Sequence, residues 1–203
     1  MIDLPGPMTK RVIKKIYDQM TKSFFIRKEK DGEYDVGFFC YIQCKDKKVP
    51  VIILNYDSLV DSKYNKINIT VDGKEKALEL GKIRYKSKEH ISIIEIKEKN
   101  IDCINFIEID DKVYEKDAEM FYYKEPIYSI QFDNIKETLV SYGTLKEIHN
   151  KKIIYSCNLN KNYKCTLIFN LSNNKLIGIN ESILNNYNTG IFFKYIINEY
   201  FLR

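Results

Sequence analysis

From Ser23 onward, apolar and polar positions alternate in short runs broken by polar turns. This is the period-two signature of strands that bury one face. The pattern predicts strands at Phe24–Lys28, Val36–Cys44, Val49–Leu54, Ile67–Val71, Ala77–Leu80, Ile83–Tyr85 and Ile91–Ile96. A second set follows Pro126, at Ile127–Phe132, Thr138–Leu145, Ile153–Cys157, Thr166–Phe169 and Leu176–Ile179. Asp72–Gly73 and Asp31–Gly32 read as hairpin turns, because glycine tolerates positive φ at no steric cost. The stretch Ile101–Tyr123 is less regular and links the two sets. Regularly spaced short strands of this kind predict a sandwich or barrels.

Both ends of the chain change to helical spacing. Pro5, Gly6 and Pro7 keep the opening residues extended. Thr9 then caps a helix reaching about Met20, with Val12, Ile13, Ile16, Tyr17 and Met20 on one face and Lys10, Arg11, Lys14 and Lys15 on the other. A basic amphipathic helix can sit on nucleic acid or an anionic membrane. The simpler account is a solvated face over a docked apolar stripe. From Gly190 to Arg203, Phe192, Phe193, Ile196, Ile197 and Tyr200 form a second stripe, with Lys194, Asn198 and Glu199 off it, as expected of a docking helix.

Composition narrows the function classes. The 203 residues allow one domain or two small ones, and 44% hydrophobic residues permit a packed core. No apolar run approaches the roughly 18 residues of a membrane span. No secretory leader is visible at the N-terminus. Five cysteines, Cys40, Cys44, Cys103, Cys157 and Cys165, form no CxxC pair, which points to free thiols in a reducing, cytoplasmic setting. The two histidines, His90 and His149, are far apart, and no zinc-ligand spacing occurs, so no metal site is expected. The absence of a P-loop, GxGxxG or HExxH leaves no cofactor expected either. Glu95 and Glu98 read as solvated charges. Interleaved Lys82-Ile83-Arg84-Tyr85-Lys86 would suit single-stranded nucleic acid by charge and stacking. A net charge of +5 with acids interspersed is a modest field, however, and lysines guarding an edge strand account for the segment more simply.

Three segments in order resemble the trypsin-like (chymotrypsin-fold) peptidases, of the short intracellular kind. Gly37-Phe38-Phe39-Cys40 followed by Pro50-Val51-Ile52-Ile53-Leu54-Asn55-Tyr56-Asp57-Ser58-Leu59 is similar to the family's GTGFFCKI and LPVLITNNHVL. His90-Ile91-Ser92-Ile93-Ile94-Glu95-Ile96 is similar to DITIIEI. Cys157 through Ile179, ending Asn174-Lys175-Leu176-Ile177-Gly178-Ile179, is similar to the stretch holding GSSGSPI and KVIGI. Ser141-Tyr142-Gly143 and the terminal helix also fit. The resemblance implies an all-β fold of two packed six-stranded antiparallel barrels, with a short N-terminal helix and a C-terminal helix. It divides the chain into an arm and basic helix over 1–22, a first barrel with linker over 23–125, and a second barrel with helix over 126–203.

The catalytic positions implied by the resemblance are all substituted. The family histidine falls on Asp57, its aspartate on His90 and its nucleophilic serine on Lys164, while the oxyanion-loop glycine falls on Asn162. An aspartate, with an unperturbed pKa of about 3.9, is a poor base for a hydroxyl. A lysine ammonium is no nucleophile unless buried and deprotonated. An asparagine in the oxyanion loop puts in doubt a hole worth about 10²–10³ in rate. The acid and base have also changed places. In the family's fold Asp57 and His90 would face each other near Lys164, forming an ion-paired plug in a dead cleft. The alternative is a noncanonical hydrolase that uses the exchanged pair with Cys165 or Thr166 as nucleophile. A further alternative is a basic nucleic-acid-binding accessory protein. The expected role is therefore that of a pseudopeptidase that binds a protein partner or acts as a scaffold.

Overall fold

The alternation expected from the sequence closes into two barrel-like sheets. The computed structural model describes residues 8–28, 32, 34–44, 47–54, 65–86, 91–97, 104–132, 138–159, 165–184 and 187–201. Contacts divide the chain into two units, residues 17–108 and residues 1–16 with 109–203.

In the unit formed by 17–108 the strands are β1 (Phe24–Lys28), β2 (Tyr34–Cys44), β3 (Lys47–Leu54), β4 (Lys66–Val71), β5 (Lys74–Lys86), β6 (Ser92–Ile96) and the short β7 (Ile107–Glu108). Antiparallel neighbours run β1-β4-β5-β6-β3-β2, and β2 also pairs with β1, so six strands return on themselves. The first part of β2 pairs with β1, while Cys40 and Tyr41 pair in parallel with β7. Every second residue faces one shared core. Ile52 and Leu54, then Ile67, Ile69 and Val71, then Leu78 and Leu80, then Ile94 and Ile96 all belong to it, together with Phe25 and Phe39. Each such side chain contributes about 1.5–3 kcal/mol when fully buried. The β4–β5 turn is Asp72 and Gly73 at φ 49° and 69°, the double positive φ of a tight hairpin. Gly32 also has a positive φ, 91°, while its expected turn partner Asp31 lies outside the described residues.

One correction falls on β5. The sequence suggested two strands, Ala77–Leu80 and Ile83–Tyr85, but a single strand runs through both. Its register against β6 shifts between Leu80 and Arg84. Gly81 sits in that bulge, where a Cβ would run into the Glu95 side chain. The gap between the two expected strands is a bulge inside one element.

The unit formed by 1–16 with 109–203 holds β8 (Pro126–Phe132), β9 (Leu139–His149), β10 (Lys152–Ser156), β11 (Cys165–Asn170), β12 (Lys175–Leu184) and β13 (Tyr187–Phe192). They close a barrel in the order β10-β13-β12-β11-β8-β9. Strand β13 was not expected, because Asn188 and Thr189 interrupt any apolar pattern. The terminal helix α2 (Phe193–Phe201) accordingly starts three residues later than the spacing suggested. Its stripe is as expected, with Phe193, Ile196, Ile197 and Tyr200 buried. Lys194 and Tyr195 tie it to Glu119, by an ion pair of 3.3 Å and a hydroxyl donated at 2.9 Å.

Helix α1 (Lys10–Lys22) is capped as expected: the Val12 N–H donates to the Thr9 hydroxyl at 3.3 Å. Its buried face is narrower than the sequence suggested. Ile16 is buried and Val12 and Met20 are half-buried, but Ile13 and Tyr17 are 54% and 62% exposed, and Gln19 is buried instead. Among the described residues, no helix is long and apolar enough to cross a membrane.

Candidate functional site

Asp57, His90, Asn162 and Lys164 all lie outside the described residues. Their anchors are described. Leu54, the last residue of β3, is the register partner of Ser92, the first residue of β6. Asp57 follows Leu54 by three residues, and His90 precedes Ser92 by two. Strand β3 thus ends and β6 begins at the same end of the pair. Lys164 immediately precedes Cys165, which opens β11 opposite Phe132 at the end of β8.

The backbone at Cys157 and Asn158 is held by three side chains from three strands. The Asn158 N–H donates to the Ser141 hydroxyl on β9 at 2.8 Å. Gln131 on β8 donates its amide to the Asn158 carbonyl at 3.3 Å. Asn188 on β13 donates to the Cys157 carbonyl at 2.7 Å. Gly143 lets β9 and β10 approach closely, since a Cβ there would overlap the Ser156 carbonyl. Ser156 and Thr144 add hydrogen bonds of 3.3 Å beside it. Sequence reading flagged Ser141 and Gly143 only through the resemblance and missed Gln131 and Asn188. For Gln131 the signal is polarity at alternate positions, with Ser129, of an otherwise apolar strand; Asn188 carries no such signal.

The nucleophiles among the described residues are poorly armed. Cys165 is 8% exposed, and burial pushes its thiol up to about 12. Burial likewise pushes Cys157 up to about 12, against a smaller opposing effect of the Ser129 hydroxyl. The Cys157 thiol donates to the Ser141 carbonyl at 3.7 Å, and the Ser129 hydroxyl to the same carbonyl at 3.4 Å. Thr166 is buried. Cys40 is driven higher still by burial and then by Glu108. The Cys157 and Cys40 thiols point at the backbone carbonyls of Ser141 and Tyr41, which orient a donor but withdraw no proton. The four described cysteines are free, and Cys103 lies outside the described residues. His149 is the one described histidine; it is exposed, at the end of β9. Among the described residues no group of three or more His, Cys, Asp or Glu gathers that could hold a metal.

One buried charge went unread in the sequence. Asp110 is 1% exposed and accepts three hydrogen bonds, from the Lys112 N–H at 3.1 Å and from the side-chain amides of Asn170 at 2.9 Å and Asn173 at 3.0 Å. It caps the 3₁₀ turn Asp111–Tyr114 and ties that turn to the β11–β12 hairpin. Next to it, burial and then the Asp110 charge raise the pKa of the enclosed Tyr122. A carboxylate satisfied by three donors on its own framework is a structural tie.

The crystal structure of Deg5, a trypsin-like serine protease, matches this chain with a TM-score of 0.60 over 95% of each chain, at 9% sequence identity. A likeness at that identity speaks for the fold alone. No protein-family model matches the sequence, and no curated protein matches it. The fold is all-β and trypsin-like, with two barrel-like sheets and two short helices.

Proposed function

We propose that this chain is a trypsin-like fold without peptidase activity, serving as a protein-binding or scaffold component. The observation that carries the reading is the set of residues at the catalytic positions of the resemblance: Asp57, His90 and Lys164, with Asn162 in the oxyanion loop. A triad peptidase needs a base near neutrality, an acid that orients it and a hydroxyl or thiol to attack. None of those chemistries stands at its position here. The pairing of Leu54 with Ser92 supports reading Asp57 and His90 as neighbours. Neighbouring opposite charges favour an ion pair, in which a protonated histidine has no free nitrogen to take a proton from a nucleophile.

The state of Cys165 argues against a cysteine substitute. A thiol that burial pushes up to about 12 stays un-ionised at pH 7. A binding role fits a fold that holds extended chains by main-chain pairing, an ability that does not depend on the triad. Free thiols suit a reducing, cytoplasmic setting. The test is incubation of the purified protein with a peptide library, read by mass spectrometry. No cleavage is expected. Turnover that disappears in Lys164→Ala or Cys165→Ala would overturn the reading.

A further inference from the structure

The exposed face of α1 breaks two rules of helix electrostatics at once. Lys10, Arg11, Lys14 and Lys15 crowd its first turn and a half, with no acid in the first turn. Cations there oppose the helix dipole, and the Lys10/Lys14 and Arg11/Lys15 spacings set like charges one turn apart. Lys15 reaches the Asn173 carbonyl at 3.4 Å. Lys10, Arg11 and Lys14 make no ion pair among the described residues, and the acid of this helix, Asp18, is held by Lys22 at 3.1 Å. Alongside those cations stand Ile13 and Tyr17, one turn apart and more than half exposed. A local arrangement that disfavours its own helix, with no ion pair to Lys10, Arg11 or Lys14 among the described residues, marks a surface selected for something else.

We propose that this face docks a partner-protein segment bearing acidic residues around two apolar side chains spaced one helical turn apart. The inference deepens the protein-binding reading above and rests on it. Charge complementarity supplies the acids: unpaired cations select carboxylates and repel basic partners. The exposed Ile13–Tyr17 pair supplies the apolar centre, and an apolar centre with a charged rim is the anatomy of a protein interface. Phosphate chains would leave Ile13 without a partner, and the net field of +5 is weak for tracking a nucleic-acid backbone. An anionic bilayer would need a wider apolar face, whereas Ile16 and Gln19 on the other side of this helix are already buried by the protein.

The experiment pans a displayed library of random 16-residue peptides against the full chain, counter-selecting on Lys10→Gln/Lys14→Gln and on Ile13→Ser/Tyr17→Ser. Enrichment of peptides with Asp or Glu flanking apolar residues three or four apart is expected, with retention falling at least tenfold on either variant and weakening as salt rises. The charge variant should melt no lower than the parent, since it relieves repulsion; a purely structural role for these lysines would lower it. Peptides without acidic bias, or retained equally by both variants, overturn the α1 inference while leaving a protein-binding role elsewhere intact. Tighter retention of an oligo-uridine or of phosphatidylserine vesicles, lost in the same variants, overturns it in favour of phosphate. Failure of the broader reading shows separately, as peptide turnover.

Discussion

The two barrels solve the same closure problem with different interiors. The core of the 17–108 barrel is a lattice of aliphatic side chains at every second position, anchored by Phe25 and Phe39 with ring centroids 5.1 Å apart. The other unit buries Asp110, Ser129, Gln131, Thr166, Asn170, Asn188 and Thr189 among its apolar residues. Most of these are stitched to one another or to backbone: Asn170 to Asp110, Gln131 and Asn188 to the 157–158 carbonyls, and Thr189 to Ser182 at 2.7 Å. An aliphatic interior is held by area removed from water, which depends on volume and tolerates exchange. A polar interior is held by named partners, so losing one atom strands another. The first barrel should therefore answer to side-chain size and the second to side-chain chemistry.

The largest effect tests the aliphatic side. Phe39 is fully buried, and its ring lies 5.1 Å from Phe25 and 5.7 Å from Phe106. Phe39→Ala should cost about 3–5 kcal/mol in urea unfolding, whereas Phe39→Leu, which keeps most of the volume, should cost less than half as much. Equal losses would mean that ring geometry, rather than buried area, governs this core.

Asp110 tests the polar side with almost no change in volume. In Asp110→Asn a single oxygen remains for three donors, and at least one of Lys112 N–H, Asn170 and Asn173 loses its acceptor. A loss of about 2 kcal/mol is expected from the same unfolding measurement. A neutral substitution would show that the hydrogen bonds of this unit are replaceable and that the contrast between the barrels is only one of appearance.

The smallest effect is a pH dependence at the α2 contact. Burial alone would raise the Glu119 carboxyl, but its own backbone N–H, the Tyr195 hydroxyl and the Lys194 ammonium outweigh it and hold the group below the ordinary carboxylate range. A carboxyl lowered in the folded state contributes stability above its unfolded pKa and loses that contribution as pH falls through the folded value. The melting temperatures of the parent and Glu119→Gln should differ at pH 7 and converge below about pH 4. A difference that persists in acid would assign the contact to packing of Tyr195.

The same contrast explains what could be read from the sequence. The first barrel announces itself because area burial writes a period of two, and the Asp72–Gly73 turn because only a few residues accept its φ. The α2 stripe was legible for the same reason. Strand β13 was not, because Asn188 and Thr189 are buried through hydrogen bonds to Cys157 and Ser182, partners distant in sequence or across a turn. Asp110 was invisible likewise, since its partners lie 60 and 63 residues away. On α1 the capping residue was legible, but which apolar residues face inward depends on what the helix meets, and Gln19 displaced Ile13 and Tyr17 from that role. The identities at the catalytic positions came from linear similarity, and the described strands fix only the anchors on either side of them.

The proposed function requires that this trypsin-like fold carry no activated nucleophile. Its most direct test is treatment of the native chain with a fluorophosphonate and, separately, with a small thiol-reactive haloacetamide at pH 7, followed by intact mass. An unchanged mass is expected with the fluorophosphonate. Cys165, buried and pushed up to about 12, should label no faster than the protein unfolds. A stoichiometric phosphonate adduct at any one residue, or rapid labelling of Cys165 in the folded chain, would contradict it.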